Sequence, residues 1–480
     1  ALANLPNFNG RVGLNGNSYR GWHVMAGLID PHPAVKAAVP SASVSEGFIG
    51  DDFFHHGAFA LAQSLRFFTA HMDFYPFEAF DDNPIANEYQ GLDIYDFYLN
   101  AGSIEDLRPL FPASSPMTDT VLKNDTFSDY WASREVAPHL RQKPRVPVLH
   151  VNNWFDVEDQ YGTLLFYQEM KAHDDSDLIR IVSGPWNHGG WRFGTGDHHG
   201  PFHYGTNTAS YFREEILMPF LRHHLKDGPD PALPTATMFD CGLNKWRTYD
   251  QWPPAAAVRL PLYLGQDGTI RFAPPEEAEA FNGYIADPAN PVPFIPRPNK
   301  DGWNDDYKLI DQSFTQSRDD VLVYSTGPLK EDITLCGPAL ARLFASTEGT
   351  DTDWVVKLID VYPDDPDENE PHPTPGFHRL VLSDIFRAKF RDSYADPKPT
   401  EPGVVEQYDI PLLEQNYTFR KGHELVIHVQ SSWFPLFDRN PNTFTHIPSA
   451  SADDFRAVEN KIYTSNTFPS HVELTVLPQG

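Results

Sequence analysis

The sequence predicts an α/β region followed by an all-β region. Up to about residue 230, apolar runs of strand length alternate with segments of helical periodicity. Beyond that point helical periodicity largely stops, and short strands such as "AVRLPLYL", "WVVKLIDVY" and "HELVIHVQSSW" recur between proline and glycine turns. The first pattern is typical of a parallel sheet and the second of a β-sandwich. At roughly 100–200 residues per domain, 480 residues suffice for two or three domains.

Composition restricts the partners that we expect for the chain. Its 37 basic and 66 acidic side chains give a formal charge of -29, which disfavours nucleic acid and anionic membrane surfaces. The same charge favours a cationic small molecule. No stretch approaches the ~20 consecutive apolar residues of a membrane span. The two cysteines, Cys241 and Cys336, cannot form a disulfide framework, and we expect both to be free and structural.

The first α/β element surrounds Ser18, in the stretch "GLNGNSYRGW". A short apolar run ends at Leu14, and Gly16 and Gly21 flank the serine, where small residues permit a tight turn. Apolar residues at positions 22, 25, 26 and 29 then follow the spacing of one helix face. Strand, serine turn and helix form the context of a nucleophile elbow, although the spelling departs from G-x-S-x-G. An ordinary serine in a glycine-rich turn is the alternative.

The next segment, residues 51–140, has a different pattern. Aromatic and acidic residues alternate irregularly in "DDFFHHGAFALAQSLRFFTAHMDFYPF" and "LDIYDFYLNAGSIEDL". This pattern predicts several short amphipathic helices. We interpret the segment as a helical cap inserted into the α/β region.

The α/β region resumes with two strands that end in polar residues. "PRVPVLHVNNWFD" predicts a buried strand ending at Asp156, and "LIRIVSGPWNH" predicts another ending near His188. Both ends should lie on one edge of a parallel sheet, where α/β enzymes place their chemistry. The order Ser18, Asp156, His188 matches the order of nucleophile, acid and base in α/β-hydrolases. In that arrangement the backbone N–H of Tyr19 would be one oxyanion donor.

Histidine-rich stretches offer a metal site as the alternative chemistry. The candidates are His55, His56, His198, His199 and His203. The spacing between positions 199 and 203 contains Gly-Pro, which prevents the helix that would place both rings on one face. The sequence therefore predicts no metal site at these histidines.

Long and unusual motifs extend over the whole chain. They are "GNSYRG", "GLIDPHP", "GDDFFHHGAF", "WFDVED", "GPWNHGG", "GTDTDWVVKLIDVYPD" and "QSSWFPLFDRNP". With them the chain resembles the α-amino acid ester hydrolases, relatives of cocaine esterase and of X-Pro dipeptidyl peptidase. The resemblance implies an α/β-hydrolase domain in two segments, 1–50 and 141–230, with the helical cap at 51–140 between them. It also implies a C-terminal jelly-roll β-sandwich at 231–480 and acyl transfer by serine without a cofactor.

The resemblance also implies roles for individual residues. It places the nucleophile at Ser18, the acid at Asp156, the base at His188 and an oxyanion N–H at Tyr19. It further implies a carboxylate cluster that binds the substrate α-ammonium, formed by Asp52, Glu158 and Asp159. Crowded carboxylates disfavour full ionisation, so we expect raised and coupled pKa values in this cluster. Two alternatives remain: Asp51 instead of Asp52 faces the site, or the acids at 158 and 159 only open the next helix.

Two departures limit what the resemblance transfers. Arg20 occupies a place where close relatives tend to carry an acidic residue. Only 17 residues precede Ser18, so we expect the early strands of the sheet to be absent from this chain. In the family these strands carry a tyrosine side chain that is the second oxyanion donor. The expectation is that a second polypeptide supplies this segment or that the chain is part of a longer protein.

The function that follows is a serine esterase and acyltransferase. Its expected substrates are small α-amino acid esters and amides, including β-lactam antibiotic side chains. We also expect a homo-oligomer located in the periplasm or secreted. A cocaine-esterase-like or X-Pro-dipeptidyl-peptidase-like hydrolase is the nearest alternative. The alternative of another class is a catalytically silent protein whose jelly roll binds a carbohydrate or a partner.

Overall fold

A computed structural model describes residues 6–68, 91–110, 115–300, 304–365 and 374–478. The part before residue 141 contains β1 (Val12–Asn17), α1 (Tyr19–Ala26), β2 (Val35–Ser41), β3 (Phe54–His55), β4 (Ala58–Phe59), α2 (Leu61–Phe67), α3 (Ile94–Ala101), α4 (Pro116–Lys123) and α5 (Asp129–Ala132). Short 3₁₀ helices cover Glu105–Leu110 and Ala137–Leu140. Within the predicted cap the described residues are therefore mainly helical, and residues 69–90 and 111–114 lie outside the description.

The middle of the chain continues the alternation of strands and helices. It contains β5 (Val148–Asn153), α6 (Gln160–Lys171), β6 (Ile179–Gly184), a 3₁₀ helix (Gly190–Arg192), β7 (His198–His199), β8 (Phe202–His203), α7 (Thr208–Tyr211), a π-helical turn (Phe212–Leu217), α8 (Met218–Lys226), β9 (Ala236–Asp240) and β10 (Lys245–Tyr249). A six-stranded sheet has the order β1-β2-β5-β6-β9-β10. Its first five strands are parallel and β10 is antiparallel to β9.

Both faces of this sheet are covered by helices. Successive residues of a strand point to opposite faces, so neighbouring residues pack against different helices. Ala38 and Val148 pack in one cluster with residues of α1 and α6. Their neighbours Val39 and Leu149 pack in another cluster, against the helical run at 212–226. The central strands β2 and β5 are therefore largely buried and pack on both faces, as expected for parallel strands between helices.

The α/β sheet extends beyond its predicted end at residue 230. Strands β9 and β10 lie in the segment predicted as β-sandwich, but β9 pairs with β6 of the α/β sheet. The sequence places a boundary at residue 230 because helical periodicity largely stops beyond that residue. By their pairing, β9 and β10 therefore belong to the α/β sheet, whereas the domain boundary at residue 230 stays a prediction.

The rest of the chain is rich in β-strands. It contains β11 (Val258–Leu264), β12 (Ile270–Arg271), β13 (Phe281–Ala286), β14 (Leu322–Pro328), β15 (Ile333–Thr347), β16 (Asp353–Val361), β17 (His378–Arg387), β18 (Glu406–Phe419), β19 (Glu424–Gln430), β20 (Val458–Tyr463) and β21 (His471–Val476). Short 3₁₀ helices cover Tyr307–Leu309, Gln312–Thr315, Ala388–Phe390, Ile447–Ser449 and Ala452–Asp454. One sheet has the order β12-β11-β21-β15-β20-β13, with β18 also on β15, and the other has the order β14-β19-β16-β17. This C-terminal β region agrees with the predicted all-β part, and its jelly-roll connectivity stays a prediction.

A buried ionic cluster joins the C-terminal β region to the hairpin β3–β4. Arg387 donates two hydrogen bonds of 2.9 Å to the Asp353 carboxylate and two, of 2.7 and 3.3 Å, to Asp438. The same guanidinium donates to the carbonyl of Gly57, and the Phe59 N–H donates to Asp438. The hairpin is therefore fixed by groups that lie more than 290 residues later in the chain.

Two further predictions concern the described residues. Cys241 and Cys336 are free, buried thiols. Among the helices within the described ranges, none combines the length and apolarity needed to traverse a lipid bilayer.

Candidate active site

Ser18 occupies a strained turn between β1 and α1. Its backbone has φ 63° and ψ -133°, and its N–H donates to the carbonyl of Ser41 at 3.0 Å. A positive φ is unfavourable for a residue with a Cβ and persists only where the surroundings impose it. A Cβ on Gly16 would lie 2.3 Å from the Arg20 carbonyl oxygen, and one on Gly21 would lie 2.3 Å from Ser43 Oγ. Both glycines are therefore required by close approach, and the strand–turn–helix context matches the sequence prediction.

The N-terminal end of α1 offers a backbone donor beside Ser18. Tyr19 is the first residue of this helix, so its N–H has no intrahelical carbonyl partner. The Tyr19 side chain is exposed and stacks on Trp22 with ring centroids 5.7 Å apart. What Tyr19 can offer the site is thus its N–H, and its role as an oxyanion donor stays a prediction. The side chain of Arg20 is exposed.

The predicted acid and base form an ion pair at the ends of β5 and β6. His188 Nδ1 lies 3.1 Å from each oxygen of Asp156. Asn153 Nδ2 and the backbone N–H groups of Glu158 and Asp159 also donate to the Asp156 carboxylate, at 2.8–3.1 Å. This carboxylate is therefore held in one orientation and can fix the imidazole.

The charges of this pair reinforce one another. Burial would raise the pKa of Asp156, but the His188 charge and hydrogen bond lower it below its ordinary value. Burial would lower the pKa of His188, but Asp156, Glu158 and Asp52 together raise it to about 10. The imidazolium form of His188 is therefore strongly favoured while its neighbours are ionised.

The reacting atoms of Ser18 and His188 both contact the predicted carboxylate cluster. Ser18 Oγ donates to Asp159 Oδ2 at 3.0 Å. His188 Nε2 lies 3.3 Å from Glu158 Oε2 and 3.4 Å from Asn17 Nδ2. In this arrangement the Ser18 hydroxyl is hydrogen-bonded to a carboxylate of the cluster and not to the imidazole.

Asp52 belongs to the same cluster through its position beside Glu158. Its backbone, with φ 50°, donates its N–H to the Glu158 carbonyl at 3.1 Å. Burial and the charges of Glu158 and Asp51 raise the pKa of Asp52 well above its ordinary value. Burial and the same kind of repulsion raise the pKa values of Glu158 and Asp159. The cluster therefore resists full ionisation, as the crowding of the predicted residues implies.

The hydrogen bonds of the Asp51 carboxylate bear on which of the neighbouring acids, Asp51 or Asp52, faces the site. Both oxygens of Asp51 are occupied, because they accept from the N–H and Oγ of Ser45 and from the N–H of Gly162 at 2.7–2.9 Å. Asp51 therefore fixes the loop to α6, and the role of Asp52 in the site stays a prediction.

The acids before α6 do more than open that helix. Asp159 is the residue before the first helical residue, but its side chain caps no backbone N–H of the helix. It accepts from Ser18 instead. Asp159 thus both precedes α6 directly and contacts the predicted nucleophile.

Lys308 contacts the acid turn and has no signal in the sequence. Its Nζ donates to the backbone carbonyl of Asp156 and approaches Gln160 Oε1 at 3.5 Å. Burial lowers the pKa of this ammonium to about 8. Lys308 lies in the C-terminal β region, outside every motif quoted above. Asn153, by contrast, lies in the "VNNWFD" segment beside the predicted acid, where the sequence could have indicated it.

One group of side chains in the described residues has the spacing of a metal site. Donor atoms of Glu158, Asp159 and His188 lie within 4.8 Å of one another. Both nitrogens of His188 already face carboxylates, so the group is also explained as an acid–base cluster. The histidines considered above lie elsewhere: His199 pairs with Asp306 at 2.8 Å, and His55 pairs with Asp384 at 2.9 Å.

Comparisons with known proteins cover the whole chain. Residues 1–190 match the family described as X-Pro dipeptidyl-peptidase (S15 family). Residues 231–473 match the X-Pro dipeptidyl-peptidase C-terminal non-catalytic domain. The cocaine esterase of Rhodococcus sp. (strain MB1 Bresler) is 27% identical, over 98% of this chain and 81% of its own.

Two solved structures are similar over nearly the full chain. An aminopeptidase from a marine sediment archaeon, Thaumarchaeota archaeon, is 36% identical with a TM-score of 0.91. An α-amino acid ester hydrolase is 32% identical with a TM-score of 0.88. Each match covers 99% of this chain and 78% of the other. The chain therefore belongs to the X-Pro dipeptidyl-peptidase S15 family of serine hydrolases, and within it the chain is similar to the α-amino acid ester hydrolases.

Proposed function

We propose that the protein hydrolyses esters and amides of α-amino acids through an acyl-enzyme on Ser18, and transfers the acyl group to amines. The observation that carries the proposal is the hydrogen bond from Ser18 Oγ to Asp159, because it puts the nucleophile directly beside a cluster of carboxylates. A substrate whose cation lies next to its carbonyl fits this juxtaposition, and an α-amino ester is such a substrate.

The proposed reaction follows from the roles of the described groups. Ser18 Oγ attacks the carbonyl carbon, and its proton passes to His188 Nε2. The N–H of Tyr19 donates to the oxyanion, while Asp156 stabilises the imidazolium. His188 then protonates the departing alcohol or amine. Water, or an amine such as a β-lactam nucleus, attacks the acyl-enzyme and restores Ser18.

Recognition of the α-ammonium is assigned to Asp52, Glu158 and Asp159. A cation between these side chains relieves the repulsion that raises their pKa values. Substrate binding and ionisation of the cluster would therefore support each other. An N-acylated substrate brings no cation, so burial of the charged cluster against it is unfavourable.

A related function is favoured by the similarity to the aminopeptidase structure. Removal of an N-terminal residue from a peptide also requires a free α-amine beside the attacked carbonyl. The same carboxylates and the same serine would serve both substrates. Ester and peptide substrates with a free amine are therefore two forms of one proposal, which differ in the leaving group.

The experiment compares phenylalanine methyl ester with its N-acetyl derivative, and a dipeptide amide with its N-acetyl form. We expect the free amines to have kcat/KM values at least about 100-fold higher, since an unpaired buried charge disfavours the acetylated forms. The Ser18→Ala variant should be inactive and should not be labelled by a fluorophosphonate. Equal rates for free and acetylated esters would contradict the assignment of the carboxylates. Absence of labelling in a folded sample would favour a silent binding protein.

A further inference from the structure

The Asp159 and Glu158 carboxylates occupy the positions through which Ser18 Oγ and His188 Nε2 would hydrogen-bond to each other. In a serine triad the hydroxyl hydrogen-bonds to the imidazole nitrogen that will take its proton. Here Ser18 Oγ has Asp159 Oδ2 as its partner at 3.0 Å. The corresponding nitrogen, His188 Nε2, has Glu158 Oε2 at 3.3 Å. Ser18 Oγ and His188 Nε2 thus each contact a different carboxylate instead of each other.

A second observation concerns the other oxygen of Asp159. This residue is 0% exposed, and its Oδ1 is buried without a hydrogen-bond partner among the described residues. Buried oxygens normally accept a hydrogen bond, and one that does not is a place where a ligand can donate. An N–H donor delivered to Asp159 would satisfy Oδ1 and would also compete with Ser18 for Oδ2.

From these contacts we infer that Asp159 restrains Ser18 and Glu158 restrains His188 until a substrate α-ammonium hydrogen-bonds to the two carboxylates in their place. The inference rests on the proposed function and deepens it, because the ammonium becomes an activator as well as an anchor. Asp159 and Glu158 act in this step as positioning residues for the nucleophile and the base.

The step rearranges hydrogen bonds and releases to water the proton that His188 Nε2 shares with Glu158, so that Nε2 is left neutral and able to accept a hydrogen bond. The ammonium donates its N–H groups to Asp159 and Glu158. The Ser18 O–H, with its proton still on Oγ, turns from Asp159 Oδ2 to His188 Nε2. The proton passes to the imidazole only when Oγ attacks the carbonyl carbon. A ligand shifts such an equilibrium only if it binds one arrangement better, and here the carboxylates accept the ammonium better once Ser18 and His188 have left them.

The test separates activation from substrate binding by using a probe without an amine. The rate at which an uncharged fluorophosphonate labels Ser18 is measured by intact mass in sodium chloride, methylammonium chloride or tetramethylammonium chloride at equal ionic strength. We expect methylammonium to accelerate labelling by about fivefold or more, the lower end of typical coupling. Tetramethylammonium has no N–H and should leave the rate unchanged. Slower or unchanged labelling in methylammonium would overturn the inference.

Variants test the two restraints separately. Asp159→Ala should label faster than the wild type without any amine, and methylammonium should accelerate it less than the wild type, because only the Glu158 restraint remains. Glu158→Gln, which keeps the side-chain shape, should show a reduced acceleration. Glu135→Gln, which removes a carboxylate outside the cluster, should respond as the wild type does. If both cluster variants retain the full wild-type response, the restraint does not exist.

The outcome is distinguishable from failure of the proposed function. If the enzyme prefers the free ester over the acetylated one but methylammonium does not accelerate labelling, the inferred restraint is refuted and the proposed substrate class is retained. Loss of that preference removes the substrate class. In that case faster labelling of Asp159→Ala in sodium chloride would still support the restraint on Ser18, and unchanged labelling would remove it too.

Discussion

Asp384 Oδ1 lies 2.9 Å from Nδ1 of His55, and this contact links the C-terminal β region to the hairpin that follows Asp52. Asp384 is on β17, within the segment that matches a domain described as non-catalytic. Burial would raise the pKa of Asp384, but His55 lowers it below its ordinary value. The β region therefore holds a loop that ends in a residue of the candidate ammonium site.

The first prediction concerns that link. Asp384→Asn removes the charge that holds His55, so the loop carrying Asp52 should lose its fixed position. We expect KM for a free α-amino ester to rise by about threefold to tenfold, within the range typical of coupling between sites. Labelling of Ser18 by a neutral fluorophosphonate should change little. Asp409→Asn, at an exposed pair with Arg342, is the matched control. Equal losses in both assays would indicate a general structural defect instead.

The second prediction concerns stability. Arg387→Met leaves the buried carboxylates of Asp353 and Asp438 without their cation. We expect the free energy of unfolding to fall by about 3–5 kcal/mol, as is usual when one partner of a buried ion pair is removed. Arg342→Met removes an exposed arginine and should change it by about 1 kcal/mol or less. Urea unfolding followed by fluorescence measures both, and similar midpoints for the two variants would refute the prediction.

The third prediction concerns pH. His188 accepts a proton only when neutral, and its pKa is raised to about 10, so labelling of Ser18 should increase as pH rises towards that value. Glu158 is one of the charges that raise this pKa. In Glu158→Gln the increase should therefore occur at lower pH, by about one unit for a lost charge at this distance. The pH dependence of fluorophosphonate labelling measures it, with Glu135→Gln as control. A shift to higher pH would contradict the assigned interaction.

The fourth prediction concerns the turn around Ser18. A Cβ at Gly21 would lie 2.3 Å from Ser43 Oγ and 2.9 Å from the Ser41 carbonyl oxygen, so Gly21→Ala must displace the start of α1. Displacing reacting groups by about 1 Å can lower the rate about 100-fold, and we expect a loss of that order in labelling rate. At Gly283 a new Cβ meets the movable side chain of Glu459 at 3.2 Å. Gly283→Ala should therefore label normally, and a normal rate for both would contradict the steric argument.

Local patterns allowed prediction of those parts of the site that depend on neighbouring residues. The turn at Ser18 follows from its glycines, and the positions of Asp156 and His188 follow from apolar strands that end in polar residues. The choice between Asp51 and Asp52 did not follow, because it depends on which oxygens Ser45 and Gly162 occupy.

Other features depend on contacts between distant parts of the chain. Lys308 reaches a turn 152 residues earlier, and no local pattern marks it. Strands β9 and β10 pair within the α/β sheet although they follow the point where helical periodicity stops in the sequence. Pairing partners of short strands are set by tertiary packing, which a single sequence does not display.

The sheet strands at 236–249 and Lys308 also bear on how such proteins can evolve. Recombination between relatives at residue 231, where the C-terminal family match begins, would take the acid turn from one parent and take Lys308 and the last strands of the sheet from another. In such hybrids the acid turn would come from one parent, and the lysine and strands that contact the α/β region would come from the other. Exchange after Tyr249 would preserve the sheet but still separate Asp156 from Lys308. The two regions should therefore be inherited together, and their sequences should diverge in step.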